Sequence, residues 1–405
     1  MSEKVRLVIA IMAAIVSTAL TAGLFLAAYK YFDSISDLPE YVVAGHLIAE
    51  GRGVKIYDGP TVIAERKKLY PTLRDRPGAS VLCPPPAFPL FLPFAVAPPE
   101  VMKVIWTPIL ALAAVASVLL LRNAYALSAR ATAWLWAVLF CLGPLFEAFK
   151  LNQISTVLLL ALCSAIWLFK RDREFAAGAV LALFLFKPQE LLTFMLFLIG
   201  AGRWRAVKGF ATAVIASTLV SVVIVGLDAY PGFFELTRHL KELNPIMQPE
   251  ITATVRGQLM RLHIQYDLVQ AISMAVLVAA SAFSFWFGRR QRGQAGWLDA
   301  GMAVTLPIGL TTAMLCHFYD LILLVPAGLA LIYSPLTQVI PKYFSAFGML
   351  IIMALAMPIA LIVHYQWVLK SMPINPYALM MMAISIGLAV FACLSVARPD
   401  ISRSS

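Results

Sequence analysis

Two aspartates follow the first long apolar run of the chain, in the stretch FDSISDLPEYVVAG. Asp33 and Asp37 come directly after that run, so both would sit at the outer surface of a membrane. Pro39 and Glu40 follow, and a proline with a carboxylate is typical of the first turn of a helix, here 39–50. Asp37 could therefore cap that helix, or act as a general base at the boundary between lipid and water. The spacing leaves both roles open.

A charged turn, KPQE at 187–190, interrupts the apolar stretch LALFLFKPQELLTFMLFLIG. Basic residues flank the stretch on both sides, so both of its ends should be cytoplasmic. The arms 175–186 and 189–202 then form a hairpin, and a helix of about twelve residues rises only about 18 Å against a hydrocarbon core of about 30 Å. We expect Lys187 to lie within the outer half of the bilayer, or the membrane to be thinner there. Its partner would be Glu190 or a lipid phosphate, unless the side chain snorkels to the surface.

Two more polar groups lie where apolar runs end. Asn152 and Gln153 form the turn in AFKLNQIS, where they could satisfy helix ends or bind hydroxyl groups. His317, Tyr319 and Asp320 cluster in MLCHFYDLILL. This cluster could be an aromatic belt with a cap, or a hydrogen-bonded pair lining a site.

The composition shows what must position these residues. Of the 405 residues, 61% are hydrophobic and 13% are charged, and the mean hydropathy is +0.84. Soluble domains carry about 25% charged residues, and apolar runs of membrane-spanning length recur from end to end. Backbone in lipid must satisfy its own hydrogen bonds, so the sequence predicts an all-α integral membrane protein, a single polytopic domain over 1–405. The net charge of +11 fits orientation and anionic lipid better than nucleic acid.

Basic clusters between the apolar runs predict about twelve transmembrane helices with both termini cytoplasmic. The first run is longer than the apolar part of a signal peptide, so we expect it to be a retained helix. The predicted spans are 7–29, 100–121, 131–149, 153–169, 175–186, 189–202, 207–227, 265–287, 297–316, 321–337, 343–364 and 375–397.

Two long outer segments remain, a first extracytoplasmic loop at 30–99 and a second at 228–263. The apolar piece 87–97 is short and broken by prolines, so we expect it to be re-entrant or interfacial. The stretch 233–243 has the spacing of an amphipathic surface helix. Sixteen of the 21 acidic residues lie outside in this layout. A carboxylate-using reaction on the outer face would account for that asymmetry.

The five cysteines are scattered, and there is no CxxC motif or His–Cys cluster. Neither a disulfide framework nor a metal site is predicted.

Taken together, the motifs resemble glycosyltransferase family 87, the multi-spanning polyprenyl-phosphate-sugar enzymes of the GT-C fold. The resemblance covers roughly 30–335 and rests on the order of its parts as well as on the residues. Those parts are Asp37, Tyr41, Ala44 and Gly45; Tyr57 and Asp58; CPPPAFPLFLPFAVAPP; Asn152 and Gln153; Lys187, Pro188 and Gln189; Arg-Trp-Arg at 203–205; and Tyr319 and Asp320. The chain has Cys83 where members often have Tyr, and Asn152 where they often have Gly.

The resemblance implies an enzyme of the cytoplasmic (inner) membrane with an extracytoplasmic active site. Such an enzyme transfers a sugar, mannose or arabinofuranose, from a polyprenyl-phosphate donor to a hydroxyl of a lipid or glycan acceptor. The family's first-loop aspartate maps to Asp37, the general base, and single displacement inverts the anomeric centre. The family usually works without a metal, and no cofactor is implied.

Charge and position assign the remaining site residues either to the donor phosphate or to the sugar and acceptor. We expect the donor phosphate to meet Lys187, Gln189, Arg256 and Arg261. Sugar or acceptor contacts are expected from Tyr41, His46, Tyr57, Asp58, Asn152, Gln153, His317, Tyr319 and Asp320. A transporter or flippase of a lipid-linked or small anionic solute is the alternative, although the chain has no internal repeat. A non-catalytic membrane scaffold is a third possibility, which leaves the charged residues unexplained.

Overall fold

The computed structural model describes residues 2–28, 36–71, 82–238, 252–338 and 376–397. Every regular element within these ranges is a helix, and the β pairing there is a lone bridge between Thr252 and His317. The predicted all-helical class is confirmed. The predicted span at 343–364 lies outside the described residues.

The α-helices are numbered here in chain order. They are α1 Glu3–Ala28, α2 Leu38–Ala49, α3 Gly59–Leu69, α4 Pro99–Ala124, α5 Ala129–Cys141, α6 Gly143–Lys150, α7 Ser155–Phe169, α8 Glu174–Leu181, α9 Leu192–Gly200, α10 Trp204–Val225, α11 Ala229–Arg238, α12 Val255–Arg261, α13 Tyr266–Arg290, α14 Trp297–Thr312, α15 Leu324–Tyr333 and α16 Pro376–Ala397. Six 3₁₀ helices in the same ranges are Gly53–Tyr57, Pro85–Ala95, Ala182–Phe186, Pro188–Glu190, Phe318–Leu323 and Pro335–Gln338.

Five helices of the described chain are long and apolar enough to cross a membrane. They lie at Glu3–Gly23, Pro99–Ala124, Trp204–Val225, Tyr266–Arg290 and Ala378–Val396. The pair α5 and α6, bent by 55°, makes a sixth if it counts as one span. A multi-pass membrane protein is therefore supported, whereas the count of about twelve stays a prediction.

The other predicted spans are shorter or interrupted helices. The hairpin predicted at 175–202 consists of α8, the two 3₁₀ turns Ala182–Phe186 and Pro188–Glu190, and α9. The predicted span 131–149 breaks where Gly143 and Pro144 begin α6. Proline lacks an N–H to continue the preceding helix, which explains the break.

Burial separates the long helices from the short ones. Only 11% of the apolar window of α10 is buried, whereas nearly every residue of α14 is enclosed. Apolar faces that lack protein neighbours are suited to lipid. The long helices therefore form an outer layer around an interior of shorter ones.

Glycines let an outer helix approach an inner one closely. A Cβ on Gly178 of α8 would lie 1.9 Å from the carbonyl oxygen of Ala206, and one on Gly209 of α10 would lie 1.9 Å from that of Phe175. Small residues at such crossings allow backbones to approach within membranes. The hairpin is thereby held against α10.

The first outer segment packs through its proline-rich part. The 3₁₀ helix Pro85–Ala95 lies against α2, where a Cβ on Gly45 would be 2.6 Å from the Phe91 carbonyl oxygen. The hydroxyls of Ser217 and Ser221 on α10 donate to Pro86 O and Pro85 O at 2.5 and 2.6 Å. This piece, predicted as re-entrant or interfacial, is a short helix clamped between α2 and α10.

In the second outer segment, α11 covers 229–238, so it begins earlier than the predicted amphipathic helix at 233–243. The rest of that prediction, 239–243, lies outside the described residues.

The ends of the helices on the predicted inner face are joined by charged contacts. Asp299 of α14 accepts from Tyr125 at 2.8 Å and from Lys170 at 3.0 Å. Arg203 bonds Glu174 at 3.1 Å and stacks over the Trp297 ring at 3.9 Å. These contacts tie α4, α7, α8 and α14 together on the side away from the charged turn.

Candidate active site

Asp37 directly precedes α2. Its backbone N–H donates to Leu151 O at 2.9 Å, and its side chain makes no capping hydrogen bond to the helix. Instead the carboxylate accepts a hydrogen bond from the side-chain amide of Gln153. The spacing left open whether Asp37 caps α2 or acts as a general base. The geometry does not favour capping, because the carboxylate bonds Gln153 and not the helix.

The turn at 151–153 is fixed by Asn152. This residue takes a left-handed conformation, φ +53°, which asparagine tolerates better than most residues. Its side chain donates to the Ser36 hydroxyl at 3.1 Å and accepts from Thr107 at 3.2 Å, while its carbonyl accepts from Trp106 at 3.0 Å. The hydrogen-bonding groups of Asn152 are thus engaged with neighbouring protein residues.

Gln153 is left to hold the carboxylate. It is 2% exposed, and its Oε1 lies 3.5 Å from the hydroxyl of Tyr41, which donates to it. An amide that accepts from a phenol presents its N–H₂ group in a defined direction. Gln153 therefore orients Asp37 through a fixed chain of hydrogen bonds.

Lys187 lies between the two 3₁₀ turns of the hairpin. Its Nζ is 2.5 Å from Asp320 Oδ1, 3.1 Å from Ser155 Oγ and 3.9 Å from Glu190 Oε1. The ammonium also lies over the Tyr319 ring, 4.6 Å from its centroid. The nearest anion is thus Asp320, which was not among the partners considered from the sequence.

Asp320 is held from several sides. Its Oδ2 accepts from the backbone N–H of His317 at 2.9 Å, and its Oδ1 accepts from the hydroxyl of Ser155 as well as from Lys187. The predicted His–Asp pair therefore forms through the histidine backbone. The His317 ring stacks on Tyr319 instead, with centroids 5.2 Å apart.

One short turn joins the two groups. Gln153 bonds Asp37, and Ser155, two residues later at the start of α7, bonds Asp320 and Lys187. A carboxylate and an ammonium are thus tied to the same helix start. We refer to the turn 152–155 as the bridging turn.

Two of the other predicted phosphate ligands, Gln189 and Arg256, contact the segment that leads to Asp320. Gln189 donates to Leu315 O and Arg256 to Met314 O, each at 3.4 Å. Arg256 is 2% exposed, and Arg261 is also buried on α12. In this conformation Gln189 and Arg256 hold backbone carbonyls.

Two residues expected to contact sugar or acceptor, Tyr57 and Asp58, have other contacts in the described chain. Tyr57 donates to Cys83 O at 2.6 Å and packs on Phe88, and Asp58 accepts from Thr61 where α3 begins. His46 is on the last turn of α2. None of these contacts is with Asp37 or Lys187.

Cys83 occupies a position where the family often has tyrosine. Burial raises the pKa of its thiol to about 12, so the group is a neutral thiol at ordinary pH. Within the described ranges, no three His, Cys, Asp or Glu residues are grouped so that they could hold a metal ion.

Ser155 and Glu190 were not among the candidate residues. A serine that begins a helix is ordinary in sequence, so nothing distinguished Ser155. Glu190 was considered only as a counter-ion for Lys187.

Comparison with known proteins supplies the family. The family model for glycosyltransferase family 87 matches residues 82–316, more than half of the chain. That range contains the bridging turn, Lys187 and Arg256, whereas Asp37 and Asp320 lie outside it. No solved structure matches the chain.

A polyprenol-phosphate-mannose-dependent alpha-(1-2)-phosphatidylinositol pentamannoside mannosyltransferase of Mycolicibacterium smegmatis is 25% identical over 232 residues. The similarity covers 57% of this chain and 55% of that protein, so the chain spans about half the length of this relative. The family predicted from the motifs is confirmed. The chain belongs to glycosyltransferase family 87.

Proposed function

We propose that this protein is an inverting glycosyltransferase of the cytoplasmic membrane. It moves a sugar from a polyprenyl-phosphate donor to a hydroxyl of a lipid or glycan acceptor on the extracytoplasmic face. The observation that carries the proposal is the bridging turn, which ties an oriented carboxylate and a partly accessible ammonium to one helix start. Glycosyl transfer from a lipid phosphate requires both groups.

Asp37 is the general base of this reaction. Gln153 holds its carboxylate so that the second oxygen can accept the proton of an acceptor hydroxyl. The acceptor oxygen attacks the anomeric carbon from the face opposite the phosphate, and the anomeric configuration inverts. The aromatic side chains that contact the sugar are those of Tyr41, Tyr319 and His317.

Lys187 stabilises the departing phosphate. Its side chain is 16% exposed, so the ammonium is partly accessible, whereas Asp320 is only 1% exposed. Asp320 balances the charge until an anion arrives, and the ammonium then acts as a point charge on phosphate oxygens. Arg256 and Arg261 on α12 complete the positive surroundings, and Gln189 supports them.

The remaining residues have supporting roles in this proposal. Asn152 fixes the bridging turn, Tyr57 and Asp58 hold the first outer segment, and His46 lies on the helix that follows Asp37. About twelve spans would place all of them on the outer side.

The sugar is mannose or arabinofuranose. The similar mycobacterial-type enzyme is described as dependent on polyprenol-phosphate mannose, which supports mannose as the first donor to test. The acceptor is a membrane-bound lipid or glycan.

The proposal is tested with purified protein in lipid nanodiscs and radiolabelled polyprenyl-phosphate mannose, with the arabinofuranose donor in parallel. The wild-type protein should transfer label, and nuclear magnetic resonance of the product should show an inverted anomeric centre. Asp37→Asn should fold but lose transfer, whereas Asp228→Asn, the same change at an exposed position, should keep it. Full activity in Asp37→Asn would remove the mechanism. Movement of the lipid-linked sugar across vesicles without any glycosyl product would favour a transporter.

A further inference from the structure

Glu190 has a carboxyl group that is enclosed and lacks hydrogen-bond donors. The side chain is 0% exposed. Within the described chain, neither of its oxygens accepts a hydrogen bond, and a hydrogen bond with Asp320 requires a proton on one of the two carboxyls. An ionised carboxylate buried without donors is costly, by several kcal/mol. The Glu190 carboxyl is therefore not an ordinary ionised counter-ion of Lys187.

The neighbouring charges show which carboxyl carries the negative charge. The titratable groups facing Glu190 are Lys187 on its own turn, and Cys316, Tyr319 and Asp320 on the segment packed against it. Asp320 accepts three hydrogen bonds, including one from the ammonium, whereas Glu190 is 3.9 Å from that ammonium and accepts none. One ammonium thus faces two carboxyls, and only Asp320 is solvated by donors.

Like charges that share a site do not both ionise readily. The favourable arrangement is an ionised Asp320, an ionised Lys187 and a neutral Glu190, because this leaves no uncompensated charge buried. Glu190 then holds a proton directly beside the lysine that would meet a phosphate.

We propose that Glu190 is the acid that protonates the departing lipid phosphate. This inference rests on the proposed function, since it assigns a further catalytic residue to the same site. A phosphate that approaches the ammonium of Lys187 comes within reach of the Glu190 carboxyl when Lys187 turns from Asp320 to the anion.

In this step one bond to the anomeric carbon breaks, another forms, and two protons move. The bond between the anomeric carbon and the phosphate oxygen breaks, and its electron pair stays on the phosphate. The acceptor oxygen bonds to the anomeric carbon, and its proton goes to Asp37. Glu190 gives its proton to a phosphate oxygen, so the lipid leaves as a singly charged phosphate monoester. Solvent then carries the proton from Asp37 and restores the proton on Glu190.

The first test compares Glu190→Gln with the wild-type protein in nanodiscs. Glutamine keeps the volume and a hydrogen-bond donor but cannot release a proton. We expect kcat for transfer from polyprenyl-phosphate mannose to fall by about 10²-fold, while KM for the donor stays about the same. Glu147→Gln is the matched control, because Glu147 is a buried carboxyl paired with Lys150 at 2.7 Å in a neighbouring turn. It should leave both constants unchanged.

The second test locates the proton without using activity. Infrared spectra of the wild-type protein at neutral pH should contain a carbonyl band of a buried carboxylic acid. Glu190→Gln should remove that band, and Glu147→Gln should not. A band that survives in Glu190→Gln, or an unchanged kcat in that variant, would overturn the assignment of Glu190.

The two proposals fail in different ways. A wild-type protein that transfers neither sugar would overturn the proposed function, and the acid role of Glu190 with it, even if the infrared band showed a protonated Glu190. An active wild-type protein whose transfer rate does not fall at alkaline pH would overturn the role of Glu190 alone. This last measurement also applies if Glu190→Gln does not fold.

Discussion

The ammonium of Lys187 lies 2.5 Å from a carboxylate oxygen of Asp320, although the two residues are far apart in sequence. The pair joins the hairpin that contains Lys187 to the 3₁₀ helix Phe318–Leu323. Ser155 bonds both partners, so a third element, α7, meets them at the same point. This contact is therefore both a structural joint and the centre of the candidate site.

Removal of one partner of this pair should destabilise the fold. Asp320→Asn removes the nearest counter-ion of the Lys187 ammonium and leaves only Glu190, 3.9 Å away, so we expect a loss of up to about 3–5 kcal/mol. Thermal unfolding in detergent should show a lower Tm. The double variant Lys187→Met with Asp320→Asn should recover much of the loss, because no charge is then left uncompensated. Additive losses in the double variant would contradict the pairing.

Replacement of Lys187 should weaken donor binding in the protein that remains folded. Lys187→Gln removes the point charge, and we expect affinity for polyprenyl-phosphate mannose to fall by about 10- to 100-fold, as for the loss of one charged hydrogen bond. Lys187→Arg should be partly tolerated. Isothermal titration or a filter-binding assay measures the affinity. Unchanged donor affinity in Lys187→Gln would show that the lysine serves structure only.

Gln153 should act on the rate and not on donor binding. Gln153→Leu removes the hydrogen bond that orients Asp37, so kcat should fall by about 10-fold or more, while KM for the donor changes little. Gln294→Leu, a change of the same kind at an exposed position of the described chain, is the control. A rise in KM with an unchanged kcat would indicate that Gln153 binds substrate directly.

The close crossing of α8 and α10 should not tolerate a larger residue. Gly178→Leu drives a side chain into the Ala206 carbonyl, and a backbone atom cannot move aside cheaply. We expect a loss of at least about 2 kcal/mol, read as a lower Tm in detergent. Gly23→Leu on α1 is the control, since a Cβ there meets nothing within 4 Å. Equal Tm values for the two variants would show that α8 and α10 do not approach as described.

The sequence indicated the charged residues of the site but not how they pair. Lys187 and Asp320 stood out because ionised groups are rare in apolar runs. Their pairing was not predicted, since local spacing carries no information on contacts between distant helices. Glu190 stood at helical spacing from Lys187, and the nearest anion proved to be a different one.

The amides at 152 and 153 have protein partners in the structure. They were expected either to satisfy helix ends or to bind hydroxyl groups. Asn152 bonds Ser36 and Gln153 bonds Asp37, and binding of substrate hydroxyls stays a prediction. A polar side chain at a helix end can form a hydrogen bond with any neighbouring residue. The packing of α2 against the bridging turn decides which residue that is.

The helical class followed from hydropathy because lipid leaves the backbone no other partner. The individual spans did not follow as well. Apolar runs in the interior, such as those of α7 and α14, are hydrophobic because protein surrounds them, and hydropathy does not distinguish protein from lipid.

The helices around the site differ at their two ends. The ends near Lys187 and Asp320 carry 3₁₀ turns. Such turns have weaker hydrogen-bond geometry than α-helices. Glycine crossings and the charged contacts of Asp299 and Arg203 lock the opposite ends of the same helices. If a lipid-linked donor binds as proposed, separating the helices at their 3₁₀ ends would cost less hydrogen bonding than separating them at the inner ends, where these contacts hold the helices in register.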